Sequence, residues 1–317
     1  MIPVSCVIPC YNAAPWLRET LDSVLSQSYP PLEILLVDDG STDASAAIAA
    51  SYGSRVQVIR QANRGESVAR NRGIDEARGQ WVALLDADDR WEADKLEKQW
   101  AATAESSELV CVYTDAFAFD DRGWRYDIVR PEWHARPERR VRMLCCSEAG
   151  VIPSSALVRT APARQVRFPE NTQHAEDMIF FACLRDRGPF HRVPQPLTGY
   201  RVSSTAQSAG PGFRFRSVRS RHGWLETHAD RYTRDEYQQG LQLLAEELIV
   251  AHDLAFWARD HRTVRRCRAY YMQLKGGRSA VPHTFRRPLF PGLLLRLKDW
   301  FDRRNRHLSA DSSRSDA

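Results

Sequence analysis

The sequence lacks the features that mark membrane-spanning, secreted and redox proteins. Its 317 residues contain no run of eighteen uncharged apolar residues, so no segment is predicted to span a bilayer as a helix. The N-terminus has no basic stretch before an apolar one, unlike a signal peptide. Seven cysteines are an odd number, and none has the spacing of a zinc or dithiol centre. These absences predict a cytoplasmic protein with reduced thiols.

The sequence also lacks the glycine-rich loops of two classes of nucleotide-binding enzyme and any recognition motif for nucleic acid. The first predicted strand is followed by Pro9-Cys10-Tyr11-Asn12 instead of GxGxxG, which argues against a dinucleotide-dependent oxidoreductase. A sugar nucleotidyltransferase is expected to carry a glycine-rich loop with Lys or Arg at this place, so the same loop argues against that class. No recognition motif accompanies the basic residues, and no nucleic-acid partner is predicted.

What is present is a regular alternation of apolar and helical segments. Hydrophobic residues make up 43% of the chain, enough for a proper core. Apolar runs predict strands at Val4–Ile8, Leu32–Val37, Val56–Ile59, Trp81–Leu85 and Leu109–Tyr113. Helices are predicted at Pro15–Ser26, Ser45–Tyr52, Ser67–Ala77, Lys95–Glu105 and from about Glu176. This order predicts an α/β fold with a doubly wound, mostly parallel sheet.

The charge and the helical pattern suggest how the chain is divided. Residues 259–306 hold 14 Lys and Arg against 3 Asp and Glu, whereas the remainder holds 31 against 37. We therefore predict a main domain over 1–210, a basic helical extension over 211–308 and a disordered tail over 309–317.

Acidic and polar residues follow several predicted strands, where ligands bind in open α/β sheets. Asp86 and Asp88 are two residues apart, which places both carboxylates on one side of an extended backbone. Oxygen ligands with open positions suit Mg²⁺ or Mn²⁺ bound to phosphate. Asp39 is placed to accept hydrogen bonds from a base or ribose, and Tyr11 offers a ring face. A solvated polar turn remains the alternative for each acidic cluster.

Five segments follow one another in order over the first ninety residues: Val7–Asn12, Leu21–Tyr29, Val37–Asp43, Ala69–Gly73 and Leu84–Asp89. Together they resemble the family 2 glycosyltransferases of GT-A fold. The resemblance implies that, within the main domain, 1–115 binds the nucleotide and 116–210 forms the acceptor side. The resemblance implies an inverting transferase in which Asp88 ligates a metal and Asp86 contacts ribose or the metal. It also implies nucleotide-sugar contacts at Pro9, Tyr11, Asn12, Asp39, Asn63 and Arg70.

The catalytic base is expected farther along the chain. Family members carry a Glu-Asp pair at the start of a helix, and Glu176-Asp177 matches it. The resemblance implies that Asp177 takes the proton of the acceptor hydroxyl, with Glu176 as the next candidate. A helix N-terminus also favours the ionised carboxylate, although acidic residues are common there for that reason alone.

The resemblance becomes weaker after this pair. Ile152–Arg159 is similar to the acceptor-side strand of these enzymes, and Tyr200-Arg201 is also similar. Many relatives have a histidine soon after the Tyr-Arg, where this chain has Ser203 and Ser204. A third protein ligand to the metal is therefore not supplied there, while Arg201 is expected to contact the diphosphate.

A basic segment near the C-terminus has its own pattern. Over residues 288–306, Leu293, Leu294, Leu297, Trp300 and Phe301 share one helical face, with most basic residues elsewhere. This pattern predicts contact with an anionic membrane surface, and docking on the enzyme's own surface is the alternative.

The combined prediction is an inverting, Mg²⁺- or Mn²⁺-dependent glycosyltransferase. Its donor is a nucleoside-diphosphate sugar, expected to be UDP-linked, and its acceptor is a glycan or a lipid-linked molecule of polysaccharide or glycoconjugate assembly. The alternatives are a non-catalytic nucleotide-sugar-binding or membrane-docking protein of the same fold, and a sugar nucleotidyltransferase.

Overall fold

The computed structural model describes residues 3–128, 140–147, 151–172, 174–203, 210–275, 282 and 285. In this part of the chain the strands are β1 (Val4–Cys10), β2 (Glu33–Asp38), β3 (Gln57–Arg60), β4 (Trp81–Leu84), β5 (Arg90–Trp91), β6 (Cys111–Phe119), β7 (Arg125–Ile128), β8 (Ala156–Arg159) and β9 (Phe190–Arg201). The helices are α1 (Leu17–Leu25), α2 (Ser45–Ala50), α3 (Glu66–Glu76), α4 (Lys95–Ala102), α5 (Arg140–Cys145), α6 (Thr160–Val166), α7 (Glu176–Arg185), α8 (Pro211–Thr227), α9 (Arg234–Trp257) and α10 (His261–Leu274).

All of these strands belong to one sheet, in the order β3-β2-β1-β4-β8-β6-β9-β5, with β7 paired to β6. The pairs β3–β2, β2–β1 and β1–β4 are parallel. Antiparallel β8 joins this half to the β6–β9 pair, which is parallel again. The chain leaves β1 toward β2 on one side and returns to β4 on the other, which creates a switch point at the β1 and β4 carboxyl ends.

The sheet has a helical layer on each face, because successive side chains of a strand point to opposite sides. Val7 of β1 packs in a core with α3 and α5–α10, whereas its neighbours Cys6 and Ile8 pack in a core with α1, α2 and α4. Helices α8, α9 and α10 thus share a core with the sheet and with α7. The domain boundary at residue 210 stays a prediction.

The predicted fold class is confirmed, including the helical C-terminal region. Among the described strands, β5, β7 and β9 were not predicted. The longest of them, β9, contains Pro194 and Pro196, which interrupt a ladder of hydrogen bonds. The register with β6 shifts on both sides of Asp115, opposite Pro196, and this irregularity accommodates the prolines.

Two further expectations concern thiols and membranes. All seven cysteines are free thiols. Among the described residues, no helix has the length and apolar character needed to cross a bilayer. The basic segment 288–306, the tail 309–317 and Ser204 lie outside the described residues.

Candidate active site

The loop after β1 lies beside the loop after β2, as parallel strands require. Asn12 adopts a left-handed backbone with φ of 50°, and its Oδ1 accepts a 2.8 Å hydrogen bond from the amide of Thr42. In return the Asn12 amide donates to Ser41 Oγ at 3.1 Å. Tyr11 is 51% exposed, so its ring is available to a ligand. Pro9 is buried in β1 opposite Val37, and its contact with nucleotide stays a prediction.

Asp39 fixes the loop that leads into α3. Its carboxylate accepts hydrogen bonds from Gln61 Nε2 at 2.8 Å and from the amides of Arg64 at 2.9 Å and Gly65 at 2.8 Å. This loop carries exposed Asn63 past Gly40, where a Cβ would come within 2.9 Å of the Asn63 nitrogen. Asp39 therefore positions the predicted nucleotide-binding loop, and its own contact with base or ribose stays a prediction.

Arg70 of α3 forms the centre of the site. Its guanidinium is 3% exposed, pairs with Asp86 Oδ1 at 2.6 Å and also pairs with Glu66 one turn earlier. It lies 5.2 Å from the centroid of the Phe168 ring, a cation–π contact. Burial opposes its charge, but Asp86 and Glu66 outweigh burial and raise the pKa of Arg70 above its ordinary value.

The neighbouring Asn71 is hydrogen-bonded to the backbone of Phe168. Its Nδ2 donates to the Phe168 carbonyl at 2.9 Å, and its Oδ1 accepts from the Phe168 amide at 2.8 Å. This pair of hydrogen bonds holds Phe168 beside Arg70, so Asn71 fixes the position of the ring that Arg70 contacts.

The turn from Asp86 to Asp89 is held by a serine that the sequence did not single out as a site residue. Ser154 Oγ accepts from the Asp86 amide at 3.0 Å and donates to Asp89 Oδ2 at 2.6 Å. Asp89 is buried and also accepts from the Arg201 amide at 2.9 Å. Burial, together with the Asp86 and Asp88 carboxylates, raises the pKa of Asp89 well above its ordinary value. Asp89 is thus a structural anchor of the turn.

Arg201 is part of the same framework. Its Nε donates to the Asp88 carbonyl at 2.8 Å, and its guanidinium pairs with Glu19 of α1 and with Asp121. The side chain is only 4% exposed. These partners hold the guanidinium against the turn that carries Asp88. A direct contact with diphosphate stays a prediction, and it would require Arg201 to give up one or more of these partners.

Asp88 carries the less constrained carboxylate of the pair. It is partly exposed, whereas an oxygen of Asp86 is engaged by Arg70. Burial, and after it the Asp86 carboxylate, raises the pKa of Asp88 to about 6. No group of three or more metal-binding side chains occurs among the described residues. Two carboxylates nonetheless fit Mg²⁺ or Mn²⁺, since such ions take one or two protein carboxylates and complete their shell with water and phosphate.

Glu176 and Asp177 open α7, as the sequence predicted. Asp177 Oδ1 accepts from the Met178 amide at 2.7 Å, and Glu176 Oε2 accepts from the Ala175 amide at 2.9 Å. The expected effect of the helix N-terminus is outweighed at Asp177. Burial, followed by the neighbouring Glu176 charge, raises the pKa of Asp177 to about 6, although its amide contact and the charge of Arg70 act in the opposite direction.

The two predicted carboxylate pairs share one electrostatic neighbourhood. The negative charges of Asp86, Glu66 and Glu176 all raise the pKa of Arg70. Burial raises the pKa of Glu66 to about 7; Arg70 opposes this, while Asp86, Glu176 and Asp177 reinforce it. The structure therefore brings the end of β4 and the start of α7 together around α3. Glu66 was missed because an acidic residue at a helix start is ordinary.

Comparison with known proteins decides the family. The family model described as Glycosyl transferase family 2 matches residues 5–167, about half of the chain. The chain belongs to glycosyl transferase family 2. It is 31% identical over 208 residues to EpsH of Bacillus subtilis (strain 168), which is named as a glycosyltransferase. That match covers 63% of this chain and 60% of EpsH.

A second relative and two solved structures complete the comparison. TuaG of Bacillus subtilis (strain 168), named for teichuronic acid biosynthesis, is 45% identical over 100 residues, 30% of this chain and 40% of TuaG. The chain thus spans less than two thirds of both relatives. S. aureus TarS 1-349 in complex with UDP-GlcNAc has a TM-score of 0.54 at 17% identity, covering 88% of this chain and 93% of that one.

The mannosyltransferase PcManGT from Pyrobaculum calidifontis, in complex with GDP-Man and Mn²⁺, has a TM-score of 0.51 at 18% identity. That match covers 86% of this chain and 84% of PcManGT. At these identities the likeness concerns the fold. The family and the GT-A fold predicted from the five sequence segments are both confirmed.

Proposed function

We propose that this protein is an inverting, metal-dependent glycosyltransferase that moves a sugar from a nucleoside diphosphate to a glycan or lipid-linked acceptor. The observation that carries the proposal is the grouping of Asp86, Asp88 and Asp177 around buried Arg70. One carboxylate pair follows β4 at the switch point of the sheet, where ligands bind in open α/β folds. Membership of the family agrees with this reading.

On the donor side, Asp88 and Asp86 are the residues that would hold Mg²⁺ or Mn²⁺. The bound ion would neutralise the leaving diphosphate as a Lewis acid. Ser154 and Arg201 keep the two carboxylates in place through the backbone of the turn. Tyr11 offers its exposed ring to the base, and we propose a UDP-linked donor because the structural neighbour TarS was solved with UDP-GlcNAc.

On the acceptor side, Asp177 accepts the proton of the acceptor hydroxyl. The hydroxyl oxygen forms the new bond to the anomeric carbon as the bond from that carbon to the diphosphate oxygen breaks, which inverts the configuration. A pKa of about 6 leaves Asp177 ionised at neutral pH and a stronger base than an ordinary aspartate. Such general-base assistance contributes a factor of about 10²–10⁴.

The test is a panel of UDP- and GDP-linked sugars, assayed for binding and hydrolysis with and without Mn²⁺. We expect at least one donor to bind more tightly with Mn²⁺, and Asp88→Ala to remove that increase. Asp230→Ala is the matched control, since Asp230 is exposed in a 3₁₀ turn before α9. If no nucleotide sugar binds and Asp88→Ala changes nothing, the protein is not a donor-dependent transferase.

A lipid-linked acceptor would bring the enzyme to a membrane. We propose that residues 288–306 contact the cytoplasmic face of an anionic bilayer, on the basis of their apolar face and basic residues. Deletion of the chain after Pro288 is expected to weaken sedimentation with phosphatidylglycerol vesicles, and more so as the anionic fraction rises. Unchanged sedimentation would assign the segment to the enzyme's own surface.

A further inference from the structure

Two aromatic rings stand exposed on the hairpin formed by the end of β6 and β7, residues 119–128, here called the aromatic hairpin. Trp124 directly precedes β7, and Tyr126 is the second residue of that strand. Their rings are nearly parallel, with an interplanar angle of 8° and centroids 6.3 Å apart. The residues are 51% and 63% exposed. Exposed rings forgo the free energy that burial of apolar surface provides, which suits them to a ligand.

The aromatic hairpin is connected to the candidate active site. In its turn, the Asp120 carboxylate accepts hydrogen bonds from the amides of Arg122 and Trp124, both at 3.0 Å. The adjacent Asp121 pairs with the Arg201 guanidinium, and Arg201 Nε donates to the carbonyl of Asp88. Trp124 therefore lies three residues after Asp121, whose partner Arg201 is hydrogen-bonded to the backbone of Asp88.

We propose that Trp124 and Tyr126 form a subsite for the acceptor saccharide. The proposal rests on the proposed function and adds to it the place where the acceptor binds beyond the reacting sugar. A pyranose ring has an apolar face of C–H groups, and their partially positive hydrogens complement the negative face of an aromatic ring. The two rings are stacked nearly parallel at the hairpin and offer such a face near the turn that carries Asp88.

The charges around the rings favour a saccharide over a membrane. The aromatic hairpin carries Asp120, Asp121, Asp127, Arg122 and Arg125. Three acidic and two basic residues give no attraction to anionic lipid, which requires a basic surface. Two rings also offer much less area than the roughly 800 Å² per partner of a stable protein interface. A short carbohydrate matches the size and the charge.

The experiment follows Trp124 directly in the full chain. Protein labelled with 5-fluorotryptophan is titrated with cellobiose, chitobiose, maltose and a mixed oligosaccharide library, and the ¹⁹F line of Trp124 is assigned with Trp124→Phe. We expect saccharide to shift this line and to leave that of Trp257 in place. Trp257 is the matched control because it is 55% exposed, on α9. Trp124→Ala should weaken saccharide binding about tenfold or more, as loss of a central aromatic anchor does, and Trp257→Ala should not.

The outcomes separate this proposal from the proposed function. Binding of UDP or GDP with Mn²⁺ is measured by calorimetry on the same sample. If nucleotide binds while no saccharide shifts the Trp124 line, or if only phosphatidylglycerol vesicles shift it, the saccharide subsite is wrong and the transferase proposal stands. If saccharide shifts the line and no nucleotide binds, the transferase proposal fails and the carbohydrate site remains.

Discussion

Replacement of Asp177 by Asn should lower the rate of sugar transfer and raise the stability of the fold. The amide has nearly the same shape as the carboxylate but cannot take a proton from the acceptor hydroxyl. We expect the transfer rate to fall by about 10²–10⁴, the usual contribution of a general base. Donor binding should stay near normal, because none of the residues proposed for the donor lies in α7.

The same substitution should make the fold more stable at neutral pH. The pKa of Asp177 is about 6 in the folded protein against an ordinary 3.8, which at about 1.4 kcal/mol per pH unit corresponds to about 3 kcal/mol. This is an upper bound, since the side chain is partly exposed. A raised folded pKa means that the ionised form destabilises the native state. The penalty is complete above pH 6 and shrinks as the pH falls through 6 toward 3.8.

The assay is urea denaturation of both proteins at pH 8 and pH 5. Asp177→Asn should be more stable by up to about 3 kcal/mol at pH 8 and by about half as much at pH 5. Equal stability at both pH values would refute the raised pKa of Asp177. Retained transfer would refute its role as base and make Glu176 the next candidate.

Three other changes test the remaining parts of the site and the fold. Asp88→Asn should abolish the increase in donor affinity with Mn²⁺ in calorimetry while leaving the circular dichroism spectrum unchanged. Ser154→Ala removes hydrogen bonds to the backbone of Asp86 and to the buried Asp89 carboxylate, so urea unfolding should show a loss of about 1–3 kcal/mol. Gly73→Ala would place a Cβ 2.3 Å from Val7 Cγ1, where α3 crosses β1, and should lower thermal stability by about 1–3 kcal/mol. Unchanged stability in either of these two variants would contradict the packing described.

Most of the parallel half of the sheet was predictable because β1, β2 and β4 are short buried runs. Val4–Ile8, Leu32–Val37 and Trp81–Leu85 match β1, β2 and β4 within two residues at each end. The second half was less predictable. The strand β9 has prolines in its middle and depends on β6 for its register, and a partner distant in sequence leaves no periodic signal along its own segment.

The site was predictable as a set of positions but not as a set of contacts. The order of motifs predicts functional roles for Asp86, Asp88 and Asp177, while their contacts depend on tertiary packing. Arg201 illustrates the limit, since the Tyr-Arg motif predicts a phosphate contact but gives no sign of the hydrogen bond from its Nε to the Asp88 carbonyl. Glu66 illustrates the reverse, because nothing in its local sequence distinguishes it from an ordinary helix-starting acid.

The distribution of positive charge explains why similar carboxylates can do different work. Arg70 pairs directly with Asp86, so the donor-side pair already has one guanidinium in contact. Asp88 and Asp177 have no such partner among the contacts described here, and burial raises the pKa of both to about 6. At Asp88 a divalent cation shared with the donor phosphates would remove that penalty. At Asp177 a compensating cation would be harmful, because it would lower the basicity that proton transfer requires. Arg70 contacts Asp86, and among the described residues no cationic side chain is recorded in contact with Asp177. This arrangement favours metal binding after β4 and proton transfer at α7.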